Sequence, residues 1–153
     1  YLDIIRMKAA IADVTARIGA IVGGGSSDEI KALGQYGRTL GVLATIRDDY
    51  IDVFEPEEIK NRAENECLPL PVLYAFRDKK VKNKIISVLK KRELGKDDAY
   101  VIVETIAETE DMQMLREEIR VFLENGVKDL KIIGNQKAKE KLEKMLHVMV
   151  EDL

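Results

Sequence analysis

Three carboxylates within five residues form the strongest chemical pattern in this sequence: Asp48, Asp49 and Asp52. On a helix the side chains of Asp48 and Asp52 lie one turn apart on the same face, with Asp49 beside them. Like charges at this spacing repel each other, and a hard divalent cation relieves the repulsion. Mg²⁺ commonly binds one or two carboxylates together with phosphate oxygens. The spacing therefore favours a magnesium site, and the alternative is an acidic helix end that contacts only water.

Small residues accompany these carboxylates on the predicted helix 28–54. Gly34, Gly41 and Thr45 share the carboxylate side of that helix. A glycine in a helix interior costs about 1 kcal/mol relative to alanine. Such a cost is explained when another group approaches the backbone closely, so the pattern predicts a close contact at this face. The opposite side carries an apolar stripe that is typical of a core-facing helix.

The predicted helix 1–22 places one lysine, Lys8, on its apolar side. The other side of this helix is predicted to face solvent because it carries Asp3, Arg6, Asp13 and Arg17. A lysine among apolar and small residues either extends to the edge of that surface or binds an anion. In the neighbourhood of a magnesium-binding carboxylate cluster the anion would be a polyphosphate, which a cation and Mg²⁺ commonly bind together.

Hydrophobic periodicity predicts an all-α domain of six or seven helices. A capping box formed by Ser26 and Glu29 marks the start of the helix that follows 1–22. The charged stretch 55–66 has no clear period and predicts a loop. Further helices are predicted, with glycines near several joints, at 79–91, 97–108, 111–125 and 136–152.

Composition excludes several classes of protein. The 153 residues fit a compact domain, and the 35% charged and 5% aromatic content favours helices over a β-sandwich. A net charge of −3 argues against a protein that mainly binds nucleic acid. The single cysteine, Cys67, excludes an internal disulfide and fits a reducing, cytoplasmic compartment. No apolar run approaches the roughly 20 residues of a membrane-spanning helix.

Neither Cys67 nor His147 has a partner at catalytic or ligand spacing, so Cys67 is predicted to pack at a helix entry.

Four ordered motifs resemble those of the trans-isoprenyl diphosphate synthases, also called polyprenyl synthetases. Residues 7–10 resemble the family's Lys-Thr-Ala segment, and residues 19–23 its Gly-Ala-x-x-Gly helix end. Residues 41–52 resemble the second aspartate-rich motif, Gly-x-x-Phe-Gln-x-x-Asp-Asp-x-x-Asp. Residues 70–75 resemble the Leu-Pro-x-x-x-Ala helix start that follows that motif. The resemblance is strong over residues 1–76 and looser afterwards.

The resemblance implies an all-α isoprenoid synthase fold around a central cavity. This chain would be the C-terminal half of that fold, and the first aspartate-rich motif would lie outside it. The implied activity is the Mg²⁺-dependent condensation of an allylic diphosphate with isopentenyl diphosphate. The implied assembly is a homodimer, or a heteromer with another synthase subunit or with the missing half.

The resemblance also implies roles for individual residues. It implies Mg²⁺ ligands at Asp48, Asp49 and Asp52. Lys8 would contact the allylic diphosphate and offset charge on the leaving group. The path of the growing prenyl chain would be bordered by Gly34, Gly41 and Thr45.

Several positions depart from the family pattern. Ala9 stands where the family has threonine, and Ala-Thr at 44–45 stands where it has Phe-Gln. In the loop after the second motif, the family's two Gly-Lys pairs and its aspartate are replaced by Pro-Glu, Glu-Cys and Arg62. The alternative function is therefore a catalytically degenerate helical subunit that pairs with and regulates an active synthase. Terpene cyclisation is a third, weaker interpretation.

Overall fold

The computed structural model describes residues 1–107, 109–151 and 153, and the regular elements within them are all helical. The α-helices are α1 (Leu2–Lys8), α2 (Ala10–Val22), α3 (Ser27–Asp52), α4 (Pro56–Asn65), α5 (Leu70–Ala75), α6 (Lys79–Leu89), α7 (Lys96–Ala107), α8 (Glu110–Asp129) and α9 (Gln136–Val150). The all-α prediction is confirmed, with the described chain divided more finely than six or seven helices. The helix ends predicted at 108 and 152 lie outside the described residues.

The predicted helix 1–22 is present as α1 and α2, which meet at Ala9. The Ala9 backbone has right-handed helical torsions, with φ −64° and ψ −11°. Its N–H donates to the Ile5 carbonyl at 3.0 Å, so helical hydrogen bonding continues through the junction. The predicted capping box before α3 is confirmed: the Ser26 N–H donates to Glu29 Oε2 at 2.8 Å, and the Glu29 N–H donates to Ser26 Oγ at 3.3 Å.

The loop predicted at 55–66 is wrong, because this stretch forms α4. Pro56 occupies the first turn of α4, where its missing N–H would have no partner within the helix anyway. Ile59 is fully buried and Arg62 is 7% exposed, so α4 has an inward face. The helical period is hidden in the sequence because an arginine, and not an apolar residue, occupies one of the inward positions.

The chain folds into two compact units, Tyr1–Arg47 with Glu118–Leu153, and Asp48–Glu117. In the first unit both segments contribute fully or almost fully buried side chains, including Ile5, Leu43, Leu130 and Leu146. In the same unit the Tyr36 hydroxyl donates to the Leu142 carbonyl at 3.1 Å and links α3 to α9.

The second unit contains the end of α3 together with α4, α5, α6, α7 and the start of α8. Its core is formed by side chains that are fully or almost fully buried: Ile59, Leu70, Ile85, Ile102 and Leu115. This packing brings α4 and the start of α5 against the carboxylates at the end of α3, as the hydrogen bonds described below show.

Candidate functional site

The three carboxylates at the end of α3 have different environments. Asp48 is exposed, Asp49 is 2% exposed, and Asp52 is half-buried. Among the residues that the structure describes, Asp48 has no hydrogen-bond or ion-pair partner. The motif therefore has an inward carboxylate and an outward one, and Asp52 lies between these extremes.

Arg62 on α4 binds the two inner carboxylates. Its Nη1 lies 2.7 Å from Asp49 Oδ1 and also forms an ion pair with Asp52 Oδ2. Its Nε donates to the Cys67 carbonyl at 3.0 Å. The other oxygen of Asp49 accepts from the Leu70 N–H at the start of α5, at 2.9 Å. These bonds tie α3, α4 and α5 together around one buried guanidinium.

Asp49 does not fit the predicted role of a metal ligand. Both of its oxygens accept hydrogen bonds from protein groups, and the side chain is buried. Across residues 1–107, 109–151 and 153, no group of three His, Cys, Asp or Glu side chains is arranged to hold a metal ion. The exposed Asp48 and the second oxygen of Asp52 do fit Mg²⁺, which often takes only one or two carboxylates and completes its shell with waters and phosphates. The metal role thus remains a prediction for these two residues.

Lys8 lies on an exposed face of the first unit. Its surroundings on α1 and α2 form an apolar stripe, which we define as Ile4, Met7, Ile11, Val14, Ile18 and Ile21. Each residue of this stripe is between 48% and 78% exposed. Lys8 is therefore an exposed cation beside an accessible apolar surface, and its role toward an anion stays a prediction.

The side of α2 that was predicted to face solvent is buried at Asp13. Asp13 is 7% exposed, and its oxygens accept from Arg17 Nε at 2.6 Å and from Arg38 Nη2 at 2.7 Å. Burial raises the pKa of this carboxyl, but hydrogen bonds and charge from Arg38 and Arg17 outweigh burial and hold the pKa below its ordinary value of 3.8. The solvent-facing prediction is wrong at this residue because two arginines compensate the buried charge.

Helix α2 packs against the glycines of α3. A Cβ at Gly37 would lie 2.4 Å from the Ala12 carbonyl oxygen, and a Cβ at Gly41 would lie 3.0 Å from Ala9 Cα. A Cβ at Gly34 would lie 2.4 Å from Cζ of the Arg17 side chain. The close approach that the glycines predict is real, but a neighbouring helix makes it. The assignment of Gly34 and Gly41 to the path of the prenyl chain rests on the family resemblance alone and stays a prediction.

The remaining residues of interest have ordinary structural positions. Thr45 is half-buried, and its hydroxyl donates to the Gly41 carbonyl at 3.0 Å, within α3. Cys67 is exposed, so the prediction that it packs at a helix entry is wrong. His147 is exposed on α9. None of the described helices is long and apolar enough to cross a membrane.

The ion pairs of Arg62 with Asp49 and Asp52 could not be predicted from the sequence pattern. Asp13 and Arg17 are spaced i, i+4, which is a recognised pairing signal within one helix. Arg62 is separated from Asp49 by 13 positions and from Asp52 by 10, across a helix boundary. A pairing of this kind depends on the packing of α4, which the sequence pattern does not reveal.

Comparisons with known proteins find relatives among the isoprenyl diphosphate synthases. The polyprenyl synthetase family model matches residues 1–106. The geranylgeranyl diphosphate synthase of Methanosarcina mazei is 27% identical over 139 residues, covering 87% of this chain and 42% of that protein. The short chain isoprenyl diphosphate synthase of Methanothermobacter thermautotrophicus is 35% identical over 114 residues, covering 69% of this chain and 34% of that protein.

A crystal structure has a similar fold. It is the geranylgeranyl pyrophosphate synthase from Corynebacterium glutamicum, complexed with calcium and isoprenyl diphosphate. The TM-score is 0.77 at 23% identity, and the alignment covers 99% of this chain and 49% of that one. The chain thus spans less than half the length of these proteins. Ordered motifs, an all-α fold and a family match over more than two thirds of the sequence lead to one conclusion: the chain belongs to the polyprenyl synthetase family, which includes the trans-isoprenyl diphosphate synthases.

Proposed function

We propose that this protein takes part in Mg²⁺-dependent prenyl transfer, in which an allylic diphosphate condenses with isopentenyl diphosphate. The observation that carries the proposal is the exposed carboxylate of Asp48, one helical turn from the half-buried Asp52, within a family-type aspartate motif. Two carboxylates at this spacing suit Mg²⁺ that is shared with a diphosphate. Family membership supplies the reaction class.

The reaction breaks the allylic C–O bond, forms a carbon–carbon bond and releases diphosphate and a proton. Bound Mg²⁺ supplies positive charge that stabilises the departing diphosphate. In the proposal Asp48 and Asp52 Oδ1, the oxygen that does not accept from Arg62, would hold that ion, and Asp49 fixes the end of α3. Lys8 donates to a diphosphate oxygen and offsets its charge.

The face around Lys8 suits an amphiphilic substrate. An allylic diphosphate has a charged head and a hydrocarbon tail, and Lys8 lies beside the exposed apolar stripe. The lysine offers a hydrogen-bond donor for the head, and the stripe offers apolar area for the tail. In the proposal this face binds the substrate.

The chain provides only part of the synthase in this proposal. It spans less than half of its relatives, and its Asp48–Asp52 turn resembles the family's second aspartate-rich motif, so we assign it to the C-terminal half of the isoprenoid synthase fold. The other wall of the cavity then comes either from the same polypeptide or from a partner subunit in a homodimeric or heteromeric assembly.

The direct test is Mg²⁺-dependent binding of an allylic diphosphate, measured by calorimetry on the wild-type protein and on Asp48→Asn. The variant is expected to lose at least about tenfold in affinity, an effect that even outer-shell partners of metal sites produce. Asp97→Asn is the matched control, since Asp97 is an exposed carboxylate at the start of α7. Equal binding by the wild type and Asp48→Asn would refute the ligand assignment.

A further inference from the structure

The buried guanidinium of Arg62 is the central feature of the second unit. The side chains of Arg62, Asp49 and Asp52 are 9%, 3% and 24% exposed, so the ion pairs are largely shielded from water. Shielded charges interact strongly, and a buried carboxylate without a counter-charge is very unfavourable. Mutual repulsion in this acidic turn is therefore already relieved by a protein cation.

We propose that Arg62 is a built-in cation that neutralises the inner carboxylates, so that the acidic turn folds without a metal and offers only its outer part, Asp48 and one oxygen of Asp52, to an exchangeable cation. The identity of the exchanging cation rests on the proposed function. The neutralising role of Arg62 rests on the ion pairs alone.

The hydrogen bonds around Arg62 explain why its position is fixed. The Cys67 carbonyl accepts from Nε, while Nη1 binds both carboxylates. The Leu70 N–H holds Asp49 from the other side. A guanidinium presents several donors in one rigid plane, whereas a lysine ammonium is a single point charge on a flexible stem. Arg62 is thus a positioning residue that sets where Asp52 lies.

This arrangement has a measurable consequence for metal binding. With Arg62 in place, the three aspartates carry a net charge of −2 instead of −3, and Asp49 is unavailable. Removing the guanidinium charge would leave two inner carboxylates that need a new counter-ion. A divalent cation is the natural replacement, because hard oxygen ligands suit it.

The test compares Arg62→Gln with the wild-type chain by thermal denaturation in EDTA and in MgCl₂, with no substrate present. The wild-type Tm is expected to change little between the two conditions, because only the exposed Asp48 and one oxygen of Asp52 are open to the cation. The Tm of Arg62→Gln is expected to be lower in EDTA and to rise by about 5 °C or more with Mg²⁺, through stabilisation by mass action. Titration with Mn²⁺, followed by electron paramagnetic resonance, should show at least about tenfold tighter binding to the variant, equivalent to 1.4 kcal/mol.

Two further variants sharpen the comparison. Arg77→Gln is the matched control, because Arg77 is 53% exposed and its Nη1 lies 3.6 Å from Asp111, so its Tm should not respond to Mg²⁺. The double variant Asp49→Asn/Arg62→Gln removes both buried charges and should lose most of the Mg²⁺ response.

The proposal is overturned if Arg62→Gln folds but shows neither a Mg²⁺-dependent Tm nor tighter Mn²⁺ binding. If Arg62→Gln does not fold in EDTA, its refolding on addition of Mg²⁺ supports the proposal. If it folds in neither condition, the test is the wild-type Tm in EDTA and in MgCl₂. A wild-type Tm that rises by several degrees with Mg²⁺ contradicts a built-in cation. All of these readouts are independent of prenyl diphosphates, so failure of the proposed function would leave them unchanged.

Discussion

At the scale of single residues, the carboxylates that are buried in the described part of the chain, Asp13 and Asp49, each bind an arginine. Asp13 accepts hydrogen bonds from Arg17 and Arg38 in the first unit, and Asp49 accepts one from Arg62 in the second. Asp48, only one position before Asp49, is exposed and has no partner among the described residues. Two adjacent aspartates therefore have different environments, because Asp49 lies on the buried side of α3 and Asp48 lies on its exposed side.

Replacement of Asp13 should show a pH-dependent cost. Its pKa is lowered in the folded protein, so its stabilising effect is fully present above about pH 4 and is lost as the pH falls through the lowered value. We expect Asp13→Asn to reduce the free energy of unfolding by about 1–3 kcal/mol at pH 7, as hydrogen bonds to charged groups contribute. Urea denaturation across the acidic range measures the effect.

The difference between wild type and Asp13→Asn should shrink as the pH falls from about 4 through the lowered pKa of Asp13, because below that pKa the wild-type carboxyl is neutral as well. Asp3→Asn is the control, since the Asp3 side chain is 93% exposed and pairs only with Arg6 at the surface. A stability difference that stays constant down to strongly acidic pH would contradict the role of the Asp13 charge.

At the scale of helices, the contact between α2 and α3 depends on small residues. Gly37 and Gly41 on α3 face Ala12 and Ala9 across the contact. The absence of side chains on one helix lets the other helix approach the backbone. The glycines that suggest ligand binding in the sequence are in this structure the basis of a tight helix pair.

Gly37→Ala is expected to destabilise the protein even though alanine favours helices. The added Cβ would lie 2.4 Å from the Ala12 carbonyl oxygen and 2.7 Å from Ala16 Cβ, and overpacking of this kind typically costs about 1–3 kcal/mol. Gly19→Ala is the control, because no atom lies within 4 Å of its added Cβ, and it should gain up to about 1 kcal/mol. Chemical denaturation measures both, and stabilisation by both variants would rule out the packing argument.

Helices with a clear hydrophobic period could be predicted from the sequence, and α4 could not. The start of α3 follows from a local signal, namely the Ser26–Glu29 box. In α4 the inward Arg62 takes the place of an apolar residue, and its partners lie on another helix. The site could also be predicted only in part. The spacing of the aspartates identified the acidic turn, but the burial of Asp49 and the exposure of Asp48 depend on how the helices pack.

At the scale of the whole molecule, an extended apolar surface remains exposed. The apolar stripe of α1 and α2 has spacings of three and four residues, as in the seams by which helices associate. Large contiguous apolar surfaces on proteins are typical of sites that bind partners or ligands. A lysine beside such a surface, as Lys8 is, gives it one polar attachment point.

Charged substitutions in the stripe should reduce its binding of apolar dyes. We expect Ile11→Lys combined with Ile18→Lys to lower the fluorescence of anilinonaphthalene sulfonate and to leave the Tm nearly unchanged, since both side chains are more than half exposed. Ile5→Lys is the contrasting variant, because Ile5 is 1% exposed and a buried lysine should strongly destabilise the fold. A large loss of Tm in the double variant would show that the stripe is part of the core.

The pairing of Arg62 with Asp49 also constrains how this sequence can evolve. Loss of Arg62 removes the arginine that compensates the buried Asp49, so a substitution of Arg62 alone is expected to be selected against while Asp49 is present. The two positions should therefore change together among descendants of this chain. A lineage that replaces Arg62 with a neutral residue should show a compensating change at Asp49. Such paired substitutions would be evidence that the buried ion pair was present in the ancestor.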